Sequence, residues 1–299
     1  MSVDASCAAL PRRFGLENRL FPRYAPPRRS WPRRILVGTD GTSSAVPAIE
    51  AARAIADRSG TPVEMETVYR PRVPLPASGT HRGIDECERY ERAPALTLLQ
   101  RVRRQRRELA QHAHGGPLRF EIGDPAAVIA RTATESRCDL VVTGIGHFDP
   151  VAGRCTGRTV LRIARHLGAA LLAAAPGCEA PGSAVLAFPD GRVHEPTIRA
   201  ALQLLPPDAP VWIALPDQSS TAHPELIEAR DPRFERVDIS GDMLSGVLRL
   251  VRDTGAQLVA TPNRGAPGQV RVFLPNIAEP LLVAAPCSVL VVPDGVAAR

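Results

Sequence analysis

The stretch Arg34–Ile55, "RILVGTDGTSSAVPAIEAARAI", returns later in the chain as Ala184–Leu205, "AVLAFPDGRVHEPTIRAALQLL". Each copy is an apolar run that breaks at Asp-Gly, crosses a short polar loop and opens a helical pattern at Pro-x-Ile. In the first copy Val46, Ile49, Ala52 and Ile55 recur at helical spacing, behind a run short enough for a buried strand. The repeat therefore reads as a β-α unit used twice.

Working outward, the same alternation continues. "PVEMETVYR" (62–70) reads as a strand, a helix runs from about Ala93 to His112, and "PLRFEIGD" (117–124) reads as a strand again. A helix over 125–136, the strand "CDLVVTG" (138–144), a helix over "TVLRIARHL" (159–167) and the strand "AALLAAAP" (169–176) follow. Strands alternating with helices at this spacing predict an α/β, Rossmann-like fold, with parallel sheets flanked by helices and ligands at the strands' carboxyl ends. After the small-residue linker "GCEAPGS" (177–183) the pattern restarts. "GAQLVATPNRG" (255–265) echoes "RCDLVVTGIGH" (137–147), and "AAPCSVLVVPDG" (284–295) closes the second copy as "LGAALLAAAPG" (167–177) closes the first. The second copy is shorter, with room only for a loop and a short helix near "HPELIEAR" (223–230) between two of its strands.

The domains expected are 33–176 and 183–294, behind a flexible Arg- and Pro-rich tail at 1–32. That tail has no apolar core of signal-peptide length, which points to a cytoplasmic protein. At 44% hydrophobic and 23% charged residues, with no apolar run near the roughly 18 residues of a membrane helix, the chain reads as soluble without membrane insertion. Six cysteines show no Cys-x-x-Cys pair and no clustered His, which speaks against a zinc site or a disulfide framework. The net charge is +6 and every basic side chain is Arg, since Lys does not occur.

This combination resembles the tandem members of the universal stress protein family. The matching residues are "ILVGTDGTSSAVPAIEAARAIA" (35–56), "GDPAAVIARTATESRCDLVVTG" (123–144) and "NIAEPLLVAAPCSVLVVP" (276–293). The resemblance implies two similar five-stranded parallel sheets paired through their last strands as a pseudo-dimer, acting as a bacterial stress-response regulator, with homodimerisation left open. In the nucleotide-binding branch it also implies a site for ATP or AMP. That site has Asp40 facing ribose or base, the backbone of Val68 reading adenine, and Gly-x2-Gly-x9-Gly-Ser/Thr after the fourth strand.

Laid on the loop Thr143–Thr159, that pattern keeps Gly144, places His147 at the second glycine, keeps Gly157 and places Arg158 at the hydroxyl. Glycines belong there because backbone N–H groups must reach phosphate oxygens with no Cβ in the way. Gly146 offers a shifted register, Thr143 and Thr159 offer hydroxyls, and Arg158 at a helix start is favoured where an anion binds. The alternatives are an Asp-Gly turn or helix cap at Asp40, ordinary sheet core at Val68 and a solvated Arg158. The second copy has Pro262 for the first glycine and Pro275-Asn276 for the third and its hydroxyl. Proline removes the N–H donors a phosphate needs, so that copy reads as a nucleotide-free partner, although Asp190 is retained.

No G-x-S-x-G, lysine or metal-spaced His pair suggests an enzyme, leaving weak ATP hydrolysis as the one enzymatic alternative and a pure protein-interaction scaffold as the other. "QRVRRQRREL" (100–109) supplies clustered Arg, but no recognition motif or stacking aromatics accompany it. A solvated charged face is the expectation there, and nucleic acid is the less favoured partner.

Overall fold

The computed structural model describes residues 31–70, 94–107, 115–145, 148–149, 154–155, 158–217, 233–263 and 277–293. Most of the expected tail and the expected helix near 223–230 lie outside these residues. In the first half β1 (Ile35–Gly38) leads through a 3-10 turn (Ser43–Ala45) into α1 (Val46–Ser59). Then come β2 (Val63–Tyr69), α2 (94–107), β3 (Gly115–Ile122), α3 (Pro125–Glu135) and β4 (Leu140–Gly144). A two-stranded ribbon, β5 (Phe148–Asp149) with β6 (Arg154–Cys155), stands inside the stretch read as loop. The half ends with α4 (Arg158–His166) and β7 (Ala170–Ala174).

The second half repeats the order: β8 (Ala184–Ala187), α5 (Glu195–Leu204), β9 (Val211–Pro216) and β10 (Phe234–Ile239). It continues with α6 (Met243–Thr254), β11 (Leu258–Asn263), α7 (Ala278–Ala284) and β12 (Ser288–Pro293).

All ten principal strands form one sheet in the order β10-β9-β8-β11-β12-β7-β4-β1-β2-β3. Pairing is parallel within each half and antiparallel only at the joint, β12 with β7. β1, β4, β7, β8, β11 and β12 are wholly or almost wholly buried along their length. Helices cover both faces of these strands, which is why they read as continuous apolar runs rather than alternating ones. One face packs against α1, α2 and α5 and the other against α3, α4, α6 and α7, and each core runs through both halves.

The joint is symmetric in detail. Leu140 pairs with Ala170 as Leu258 pairs with Ser288, which makes Leu172 the counterpart of Leu290. These two residues face each other across the antiparallel joint, with Val289–Ala173 and Val291–Leu171 on either side. A pseudo-twofold axis therefore passes through the Leu172–Leu290 pair. Around it Arg165 Nε and Nη2 donate to Glu279 Oε1 and Oε2 at 2.8 and 2.7 Å, a bidentate fork. Asn263 Nδ2 donates to the Ala164 carbonyl at 3.1 Å, and Arg58 Nη2 to the Leu204 carbonyl at 2.9 Å on the opposite face.

Cys138 and Cys287 are buried. Desolvation pushes both thiols up to about 12, so they act as small hydrophobes rather than nucleophiles.

Candidate functional site

The first expected ligand residue, Asp40, follows β1 and is exposed. Its Oδ1 accepts from the Thr42 N–H at 3.0 Å and from the Thr42 hydroxyl at 2.6 Å. This is an Asx turn that feeds the Ser43 turn and α1. Beneath it the buried Thr39 hydroxyl donates to Gln105 Oε1 at 2.8 Å and accepts from the Gly41 N–H at 3.0 Å, while Gln105 Nε2 donates to the Thr42 carbonyl at 3.3 Å. Gly41 has φ +70°, and a Cβ there would lie 3.1 Å from both Arg101 Cβ and Val102 Cγ2. Helix α2 thus clamps the β1–α1 loop, and only glycine fits the left-handed turn under it.

Across from this loop, β4 delivers Thr143 and Gly144 beside β1, with Thr143 in register with Gly38. A Cβ on Gly144 would sit 2.0 Å from the Ser44 carbonyl oxygen. The absence of a side chain at Gly144 is therefore required by backbone packing, whether or not a phosphate is bound. Thr143 is 5% exposed and its Oγ1 has no hydrogen-bond partner among the described residues. Val68 is half-buried, two residues past Glu66, the last β2 residue paired with β1. Its backbone on that side lies beyond the end of the ladder. Thr159 is exposed in the first turn of α4. Gly146, His147, Gly157 and the Arg158 side chain lie outside the described residues.

Sequence reasoning passed over Glu66. The strand β2 places Glu64 and Glu66 on the face toward α3, two apart as strand geometry requires. Glu64 is bridged by Arg119 at 3.5 Å and Arg34 at 3.7 Å. Glu66 is wholly buried, takes one hydrogen bond from the Thr132 hydroxyl at 3.2 Å, and has no partner for Oε1 among the described residues. Burial first, and then the Glu121 carboxylate, push its carboxyl up to about 7, against the opposing pull of Thr132, Arg119 and Arg131. The available signal was the alternation Glu-x-Glu within an otherwise apolar strand.

The second half differs at matching positions. Ala187 pairs with Ala214 as Gly38 pairs with Glu66. The Phe188 N–H donates to the Ala214 carbonyl as the Thr39 N–H donates to that of Glu66. Phe188, wholly buried, therefore stands where Thr39 stands, and Ala214 and Leu215 stand for Glu66 and Thr67. Asp190 repeats the Asx bond, from the Arg192 N–H at 3.1 Å, one residue further from its strand.

The family model described as "Universal stress protein family" matches residues 32–173 and 195–293, well over half of the chain. The chain belongs to the universal stress protein family. Among solved structures, a universal stress protein from Archaeoglobus fulgidus DSM 4304 is similar at TM-score 0.58 and 13% identity, covering 87% of this chain and 96% of that one. A functionally unknown protein from Pseudomonas aeruginosa PAO1 is similar at TM-score 0.57 and 16% identity, covering 87% and 92%. At such identities these likenesses speak for the fold. No curated protein matches. In this universal stress protein one family segment falls in each half of the sheet, the second beginning at α5 after β8, and the two halves form the pseudo-dimer that the resemblance implied. No helix among the described residues is long and apolar enough to cross a membrane.

Proposed function

We propose that this universal stress protein is a stress-response regulator without chemistry of its own, binding one adenine nucleotide, ATP or AMP, per chain. The site belongs to the first domain (33–176), and the second (183–294) completes the fold as a structural partner. In this reading Asp40 faces ribose or base and the Val68 backbone faces adenine. Thr143, Gly144, Gly146 and His147 surround the phosphates from one side, and Gly157, Arg158 and Thr159 from the α4 end.

The observation that carries the reading is the asymmetry between the halves. Among the described residues the first half holds three buried polar side chains with an atom that lacks a partner, Glu66, Thr67 and Thr143, whereas at the matching positions of the second half only Thr261, the counterpart of Thr143, does. Two of these three positions, and that of Thr39, are apolar in the second, where Phe188, Ala214 and Leu215 occupy them. Buried unsatisfied polar groups are costly enough that a bound group is a natural partner for them. The free edge of Val68 past the β1–β2 ladder fits a purine read through the backbone.

A second reading, an interaction scaffold of the same fold that binds no nucleotide, is favoured by a different observation. The Thr39–Ser44 loop already satisfies its own polar groups, including Asp40 Oδ1. Titration calorimetry with ATP and with AMP separates the two. One equivalent per chain is expected, two equivalents would refute the assignment of the second half, and no heat or thermal shift at millimolar nucleotide would leave the scaffold.

A further inference from the structure

Helix α2 carries Arg101, Arg103, Arg104, Arg106 and Arg107, all exposed, and no acidic residue over 94–107. We propose that the outward side of this helix is a docking surface for the phosphate backbone of a nucleic-acid duplex, engaged without regard to base sequence.

The helix is built against its own stability. Arg103–Arg107 is an i,i+4 pair of like charge, and Arg101–Arg104, Arg103–Arg106 and Arg104–Arg107 are i,i+3 pairs; each is repulsive. On other helices several arginines are neutralised by carboxylates: Arg131 with Glu121, Arg162 with Asp124, Arg165 with Glu279 and Arg199 with Glu195. Arg101, Arg103 and Arg107 have no hydrogen bond or ion pair among the described residues.

Two features select a nucleic acid over an anionic membrane. From Arg101 to Arg107 the helix rises about 9 Å, so Arg101, Arg103 and Arg107 present roughly one positive charge per 3 Å, close to the one phosphate per about 3.4 Å along one strand of a duplex. The apolar side of the helix is already used, since Leu98 and Val102 pack into the core and against the Gly41 loop. Only Leu96 is exposed among its large apolar residues, and a helix that binds lipid needs a free apolar face to bury.

The test uses the full chain and a fluorescein-labelled 20-base-pair duplex of arbitrary sequence, followed by anisotropy from about 50 to 200 mM NaCl. Binding is expected to fall steeply with salt. The Arg101→Gln/Arg103→Gln/Arg107→Gln triple variant should bind at least tenfold more weakly at 100 mM, with a log–log salt slope shallower by about 2 to 3, since each lost phosphate contact removes roughly 0.9. An Arg236→Gln/Arg249→Gln/Arg252→Gln control, equal in net charge, should stay within twofold of the unmodified protein. Absence of binding at 50 mM NaCl overturns the proposal, as does equal weakening by both triples. Phosphatidylserine vesicles bound as tightly as the duplex through the same three arginines would overturn it in favour of a lipid surface.

Discussion

Replacing Glu66 with glutamine is expected to stabilise the protein at pH 8, by about 1–2 kcal/mol, and to leave it nearly unchanged near pH 4. The folded-state pKa of about 7 lies above the ordinary 4.5, so the folded protein holds a proton that the unfolded chain releases between these values. Below pH 4.5 both states are protonated and the carboxyl costs nothing. As pH rises toward 7 the folded state must either keep the proton against solution or bury a charge, and stability falls by up to about 3 kcal/mol. The charged groups around it are Arg119 and Glu121 from β3 and Arg131 from α3, with the Thr132 hydroxyl as its one hydrogen-bond partner among the described residues. Glutamine removes the charge but leaves amide hydrogens without partners, which returns part of the gain. Urea unfolding of both proteins from pH 4.5 to 8 checks this, and parallel stability profiles would sink it.

Gly144→Ala should cost roughly 2–4 kcal/mol, the range of a forced overpacking, and should do so with no nucleotide present. The added methyl would lie 2.0 Å from the Ser44 carbonyl oxygen and 3.1 Å from its carbon. Both are backbone atoms, which cannot rotate away as a side chain would. Since β4 is held on both sides, by β1 and β7, relief must come from moving the start of α1. Denaturant unfolding of the apo variant within 0.5 kcal/mol of the parent would show that the contact is not needed. The second half has Pro262 at this place, and there Asp190 sits one residue further from its strand, so the two halves do not share the constraint. In a universal stress protein a retained first glycine is therefore weak testimony for a phosphate, because packing alone demands it here.

The order of strands and helices was legible because it is written in local periodicity. Apolar runs ending at Asp-Gly and Pro-opened helices announce themselves within a dozen residues, and their recurrence at Ala184–Leu205 exposes the duplication. Asp40 was legible as a turn former, because Asp before Gly at the end of an apolar run asks for an Asx turn, and that turn is what the structure holds. Glu66 was not legible. Its burial depends on α3 lying over β2 and on the edge strand β3 supplying Arg119 and Glu121, partners far away in the chain. Gln105 was hidden for the same reason, as one polar residue in a run of arginines whose task is set by Thr39.

What the sequence by itself determined is the alternation of elements and the two copies. These follow from single residues and short-range spacing. The tertiary structure alone decided that the halves share one sheet with its axis at Leu172–Leu290, that Phe188 replaces Thr39, and that Gly144 is glycine for the sake of Ser44. Each of these is a relation between residues across strands, fixed by which backbones come to lie about 5 Å apart in a sheet, and no local pattern carries that information.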